Sequence, residues 1–433
     1  MKQLVQRLET RANLVERGMR GAQVRPGGFF ALLGYAVICI VVVALLLESG
    51  AFIVLTAYHG LRPDTQDNFA DTSPAYGGYP WASEYWKEEK TRWQLQHGSY
   101  EPFRIWGVAP WHGKYVNTDD TPNGTWRRTI NPVCGKQSRF DVWMFGGSTL
   151  YGTGVPDWAT LPSFLSRELN STGGRCVVVT NFGAEGYVTN QEVILLMEQL
   201  KADRHPDLVI FYDGVNDSYT GAVSPGIPKA HMSLSNIKAR VEGTLGSRFD
   251  FLRSSHILQL AIAAVNSLRR PGTANPNVGE VESKATATLD NYETNLRLVR
   301  ILGEADGFRV FCFWQPALVY GHKPLAPFEI RIADNEAAKN TFHVLTAVYE
   351  QAERRAAMDG TFAFLGGIFD SVKEPVYIDK WMHLSPAGNE LVARSLAKAV
   401  EEGLKPQQST GSDRGQKQTT PDQPESISLD SSF

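Results

Sequence analysis

The chain has 433 residues, of which 42% are hydrophobic, 11% aromatic and 21% charged, and 43 basic residues nearly balance 46 acidic ones at a formal net charge of −3. This composition excludes a disordered chain, and near neutrality leaves no basic excess for gripping nucleic acid. Four cysteines are too few for a disulfide scaffold, and they show no C-x-x-C or Cys/His spacing suited to structural zinc.

The first element is Phe29 to Leu47, a charge-free apolar run of 19 residues, after which apolar character resumes beyond Glu48 from Ala51 to Tyr58. At ~1.5 Å per residue the run reaches ~28 Å as a helix, close to the ~30 Å hydrocarbon thickness of a bilayer. It lacks the polar stripe of a soluble core helix. It also exceeds the ~7 to 15 residues typical of a signal-peptide core, so the sequence predicts a retained transmembrane anchor over 29–58. Ahead of it, a leader over 1–28 carries Lys2, Arg7, Arg11, Arg17, Arg20 and Arg25 against Glu9 and Glu16, whereas residues 48–80 hold one Arg and four acids. That asymmetry keeps the N-terminus cytoplasmic and sends the rest of the chain across the membrane.

Residues 59–138 are rich in Trp, Tyr, Pro and Gly without clear periodicity, and read as an ordered, loop-rich extension. From residue 139 the pattern becomes regular. Short β-rich runs at 141–145, 176–181, 208–212, 308–314 and 361–365 alternate with helical spacing around 159–169, 190–202, 288–304, 329–358 and 386–402. The alternation predicts an α/β domain over 139–404, a mostly parallel five-stranded sheet flanked by helices. Between the third and fourth strands, residues 254–270 form an apolar-faced helix, read either as a lid or as a packed insertion. The polar stretch over 405–433 reads as a disordered tail. Cys134 and Cys176 precede neighbouring strands and would join in an oxidising compartment, although Cys176 and Cys312 also fit buried strand positions.

In such sheets ligands bind beyond the carboxyl ends of the strands. The first strand is followed by Phe145-Gly146-Gly147-Ser148-Thr149, whose glycines allow a sharp turn that exposes a hydroxyl. No lysine follows, so it is not a phosphate loop. After the second strand comes Asn181-Phe182-Gly183-Ala184-Glu185-Gly186, and after the third Asp213-Gly214-Val215-Asn216-Asp217, which together offer a backbone N–H and a side-chain amide to a developing oxyanion. Near the C-terminus, Asp379-Lys380-Trp381-Met382-His383 places an acid and a base on a loop that enters a helix at Pro386. Gln315-Pro316 follows the fourth strand as a strand-ending turn or a pocket wall. His112, His231, His256 and His322 have no evident partner in sequence and read as surface or packing residues.

Four motifs in the order Ser, Gly, Asn, Asp/His, each beside a strand end, resemble the SGNH (GDSL-like) hydrolase superfamily over about 140–402. The resemblance is greatest to membrane-anchored bacterial members with Gly-Gly-Ser-Thr at the nucleophile. It implies a flavodoxin-like three-layer fold, with Ser148 as nucleophile, His383 as base and Asp379 orienting it. The oxyanion hole would be formed by Ser148, Gly186 and Asn216. Two features depart from the family: Gly147 replaces the usual aspartate of Gly-Asp-Ser, and Asp-x-x-His is stretched by one residue to Asp379-x-x-x-His383.

The resemblance implies a serine esterase or deacylase that works through an acyl-enzyme and needs no metal or organic cofactor. It would sit in the cytoplasmic membrane with its catalytic domain outside, and its location suggests an O-acylated glycan or lipid as substrate. An O-acyltransferase that modifies an exported polysaccharide uses the same residues, with Trp81, Trp86, Trp93, Trp106 and Trp111 as possible sugar-stacking surfaces. A third expectation, supported by the stretched Asp-His spacing alone, is a non-catalytic carbohydrate-binding relative.

Overall fold

The computed structural model describes residues 26–61, 73–96, 98–171, 173, 175–223, 231–232, 234–242, 255–268, 277–334 and 339–405. The leader up to residue 25 and the tail after Lys405 lie outside the described residues.

The apolar run forms one helix, Pro26–Leu61. Within it, Phe30–Ala57 is a 28-residue stretch long and apolar enough to cross a membrane, and its most apolar window is fully exposed. A fully exposed apolar helix suits lipid and not water.

The five sequence-read strands all form: β5 Arg139–Gly146, β6 Cys176–Asn181, β7 Leu208–Asp213, β8 Arg309–Trp314 and β9 Ala363–Phe364. They pair in parallel in the order β6-β5-β7-β8-β9. Every residue of β7 is buried, as expected of a central strand covered on both faces. The helix Leu161–Ser171 packs with Pro386–Leu404, and Val278–Asp306 packs with Lys339–Asp359 and Val215–Val223. The chain order reverses between β5 and β7, which opens the crevice where a doubly wound sheet binds its ligand.

The sheet is not five-stranded but seven-stranded and mixed. A hairpin from the extension, β3 Thr118–Thr121 and β4 Gly124–Arg127, joins it at the β6 edge, where Arg127 pairs antiparallel with Asn181. These strands are too short for an alternation signal; the readable cue was the Asn123-Gly124 turn, where Gly124 takes φ 131°. A second hairpin, β1 Ser99–Glu101 with β2 Ile105–Gly107, stands apart from the sheet. The helical pattern over 329–358 ends a first helix at Ala333 (Pro327–Ala333), and a second runs Lys339–Asp359.

The extension has its own small core of Ala75, Tyr76, Tyr85, Trp86, Tyr115 and Val116, which also takes in Ile378 from the C-terminal motif. Tyr76 Oη donates to Gly154 O at 2.7 Å, and Gly154 N donates to Tyr85 Oη at 2.9 Å. Gly154 has φ 94°, and a Cβ there would meet Ile378 Cδ1 at 2.2 Å, so only glycine fits. The extension thereby braces the loop after Ser148 and the residue before Asp379. The segment read as a lid or insertion forms the helix His256–Leu268, which packs on the apolar helix Pro26–Leu61. Cys134 and Cys176 form a disulfide, whereas Cys312 is free and buried and Cys39 is free and exposed on the apolar helix.

Candidate active site

Gly146 ends β5, and the chain turns at Gly147 into a single helical turn, Ser148–Tyr151. A Cβ at Gly147 would lie 2.1 Å from Asn216 Nδ2, so the glycine that replaces the usual aspartate is the residue that lets the amide approach the serine. Thr149 Oγ1 donates to Gln315 Oε1 at 3.2 Å, and Gln315 N donates to Asp213 O at 2.7 Å. Gln315 therefore braces the nucleophile turn from the end of β8 and does not line the cleft.

The C-terminal motif is held by Ile378 N donating to His383 O at 3.0 Å. Met382 takes φ 67°, with its side chain buried. This left-handed residue turns the loop between Asp379 and His383, and the acid and base face each other across it. Asp379 Oδ1 accepts from Trp381 N at 2.9 Å and from His383 N at 3.3 Å, and Oδ2 lies 2.6 Å from His383 Nδ1. His383 Nε2 lies 2.8 Å from Ser148 Oγ. The carboxylate fixes the proton on Nδ1, leaving Nε2 as an acceptor for the serine hydroxyl. Burial alone would push the His383 pKa down, but Asp379 outweighs it, with Glu185 and Glu89 adding, and the net shift is upward from the ordinary 6.5.

Asn216 Nδ2 donates one hydrogen to Tyr187 O at 2.8 Å, which leaves its second beside Gly147. The Ser148 amide opens a helical turn and has no intrahelical acceptor. Gly186 reaches the cleft with φ 75°. The structure brings Ser148, His383, Gly186 and Asn216 together around one crevice, with Asp379 buried behind His383. Such a constellation can take a proton from a hydroxyl and hold negative charge on an adjacent oxygen.

The crevice, of about 280 Å³, is also walled by Trp93, Thr153, Glu185, Met232 and Trp381. Glu185 accepts from Thr153 Oγ1 at 3.1 Å and pairs with Arg92 at 3.0 Å, and Arg92 is bound to buried Glu89 at 2.7 Å. Arg92 and Trp93 come from the extension helix Ala82–Leu95, so the extension helps to build the site. Sequence reading missed Thr153 and Met232 as walls, since nothing in their local spacing marks them, and gave Glu185 no role although it stands beside Gly186 in the motif after the second strand. Of the candidate sugar-stacking tryptophans, Trp86 is buried in the extension core, Trp81 and Trp111 pack against it, and Trp93 and Trp106 reach open cavities. Among the described residues, no group of three or more His, Cys, Asp or Glu is arranged to hold a metal ion.

Behind the oxyanion loop lie three buried acids. Asp217 accepts from Thr189 Oγ1 and N, and burial raises its pKa to about 6 against those bonds. Burial also raises Glu192 and Asp213 well above the usual carboxylate range; Asp213 adds to the rise at Glu192, whereas Glu192 opposes it at Asp213. Neither Glu192 oxygen, nor Asp213 Oδ2, has a hydrogen-bond partner among the described residues.

A serine–histidine–aspartate line at the switch point of a doubly wound α/β sheet defines the class of site. No family model and no curated protein matches the chain. Similar solved structures include a lipolytic G-D-S-L family protein from Veillonella parvula, at 13% identity and TM-score 0.33, covering 61% of this chain and 100% of that one. A lipase/acylhydrolase from Enterococcus faecalis is 15% identical with TM-score 0.32, covering 62% of this chain and 100% of that one. An acetylxylan esterase from Geobacillus stearothermophilus is 14% identical with TM-score 0.31, covering 62% and 96%. At these TM-scores the likenesses carry no argument, and the geometry of the site stands alone.

Proposed function

We propose that the chain is a membrane-anchored SGNH-type serine esterase or deacylase that acts on an O-acylated glycan or lipid. The observation that carries this reading is the unbroken line from Asp379 through His383 to Ser148, with the Asn216 amide beside Gly147. Ser148 Oγ attacks the ester carbonyl as its proton passes to His383 Nε2. The N–H groups of Ser148 and Gly186 and Asn216 Nδ2 hold the oxyanion. Collapse breaks the ester C–O bond, and the departing alkoxide takes the proton from His383. Water, deprotonated by the same histidine, then releases the acid and restores Ser148.

Two observations support placement outside the cytoplasm: the exposed apolar helix and the Cys134–Cys176 disulfide, a bond that persists in oxidising compartments. A glycan is favoured over a lipid by a neighbouring cavity of about 450 Å³ that shares Trp93 and Glu185 with the catalytic crevice and adds Trp106, Tyr151, Arg92 and Gln96. Aromatic faces beside polar groups suit sugar rings. The same cavity leaves room for a second sugar as acceptor, which is what favours acyl transfer as the alternative. Release of free acetate from an acetylated oligosaccharide, measured with and without an unacetylated glycan, separates the two. Acetate at any acceptor concentration supports hydrolysis, acetylated acceptor supports transfer, and neither product argues for a non-catalytic carbohydrate-binding relative.

A further inference from the structure

The membrane helix is longer than a bilayer needs. Its 28-residue, mostly apolar stretch Phe30–Ala57 would span ~42 Å at ~1.5 Å per residue, against ~30 Å of hydrocarbon. From Phe30 to Leu47 the large apolar side chains are all exposed, as a lipid-facing segment requires. Beyond that point the helix changes character. Ala51 and Leu55 are each only 6% exposed, and Glu48 lies on the same face.

What covers that face is the helix His256–Leu268. Its N-terminus is held by Glu48, whose carboxylate accepts from Ser255 Oγ at 2.9 Å, from His256 N, and from Ile257 N at 3.4 Å, with His256 Nδ1 2.9 Å away. Phe52 meets the His256 ring edge-on at 5.0 Å. A carboxylate at the edge of an apolar span is costly unless donors satisfy it, and the free N–H groups of a helix N-terminus do so. Glu48 thus marks a built docking point between the two helices.

The docked helix reads HILQLAIAAVNSL, with no charged residue over 13 positions and with Arg269 and Arg270 directly following. Docking buries only part of it: Ile257 and Ile262 remain 41% and 49% exposed, and on the longer helix Ile53 and Val54 are 66% and 50% exposed. Ile257, whose N–H donates to Glu48, and Ile53, next to the Phe52 that meets His256, thus leave exposed apolar side chains on both helices at the docking point.

We propose that His256–Leu268 is a second membrane-contacting element, seated on the outer end of the anchor with Ile257 and Ile262 among lipid acyl chains of the outer leaflet. The inference rests on the anchor reading above. The insertion that carries this helix also supplies Met232 to the catalytic crevice, so seating it in lipid ties the substrate-facing wall to the membrane surface.

The test uses the full chain in phosphatidylcholine vesicles on a Cys39→Ser background, where the remaining free thiol, Cys312, is buried, with one exposed cysteine placed by Ile262→Cys, Ile38→Cys or Met358→Cys and labelled with an environment-sensitive fluorophore. All three positions are exposed, so the substitutions spare the fold, and thermal unfolding of each variant checks it. Doxyl-labelled lipid is expected to quench position 262 within about twofold of position 38, and position 358 only weakly. Quenching at 38 but not at 262 overturns the proposal and leaves the anchor standing. Absence of quenching at 38 overturns the anchor reading and the proposal with it.

Discussion

At Gly147, where the sequence resemblance leads to the expectation of an aspartate, the neighbouring amide leaves no room for a side chain. With Asn216 Nδ2 occupying the space of a Cβ, Gly147→Ala must push the amide away from the serine. Both Gly147→Ala and Asn216→Ala are expected to lower kcat by about 10²- to 10³-fold on a short p-nitrophenyl ester, the loss typical for one oxyanion donor. Activity needs neutral His383, whose pKa is raised, so kcat/KM is expected to fall with acidity through a pH above 6.5. Asp379→Asn removes the main upward influence and leaves burial, so the acid limb is expected to move to lower pH while kcat falls by roughly 10³- to 10⁴-fold. An unchanged limb in a pH–rate profile would sever Asp379 from His383. These residues were legible in sequence because each stands in a short motif after a strand. The left-handed Met382 that closes the stretched Asp-His loop was not, since only the folded backbone reveals its conformation.

At the scale of elements, the long strands and helices were legible because their apolar periodicity is long enough to be distinctive. The β3–β4 hairpin and the division of 329–358 were not, because four-residue strands and a single helix break leave little periodic signal. The three acids Glu192, Asp213 and Asp217 were also invisible as a group, since they come from three separate elements that meet only behind the oxyanion loop. Their raised pKa values have a sign that can be worked out. The unfolded chain releases the Glu192 proton from the ordinary value near 4.5 upward, while the folded chain keeps it, so the native state loses stability as pH rises above that point. Glu192→Gln, which has no proton to lose, is expected to gain stability relative to wild type with rising pH, by up to ~1.4 kcal/mol per unit. Unfolding of the full chain in detergent at pH 5 and pH 8 measures it, and an equal difference at both pH values would refute the raised Glu192 pKa.

On the scale of the whole molecule, the extension braces the loops beside Ser148 and Asp379, and the apolar helix Pro26–Leu61 packs against His256–Leu268. Tyr76, Tyr85 and Ile378 join the extension core to the loops beside Ser148 and Asp379, and Trp81, Trp86 and Trp111 serve in that core, whereas Trp93 and Trp106 reach the cavities. The Cys134–Cys176 bond closes a loop with a sequence separation of 42, a length for which chain entropy gives roughly 3 to 4 kcal/mol. The central claim, an activated serine on this scaffold, is tested most directly by treating the full chain in membranes with a fluorophosphonate probe beside Ser148→Ala. Labelling of the wild type that vanishes in the variant is the expected result. A folded wild type that takes up no label, or a Ser148→Ala chain labelled as strongly, would contradict it.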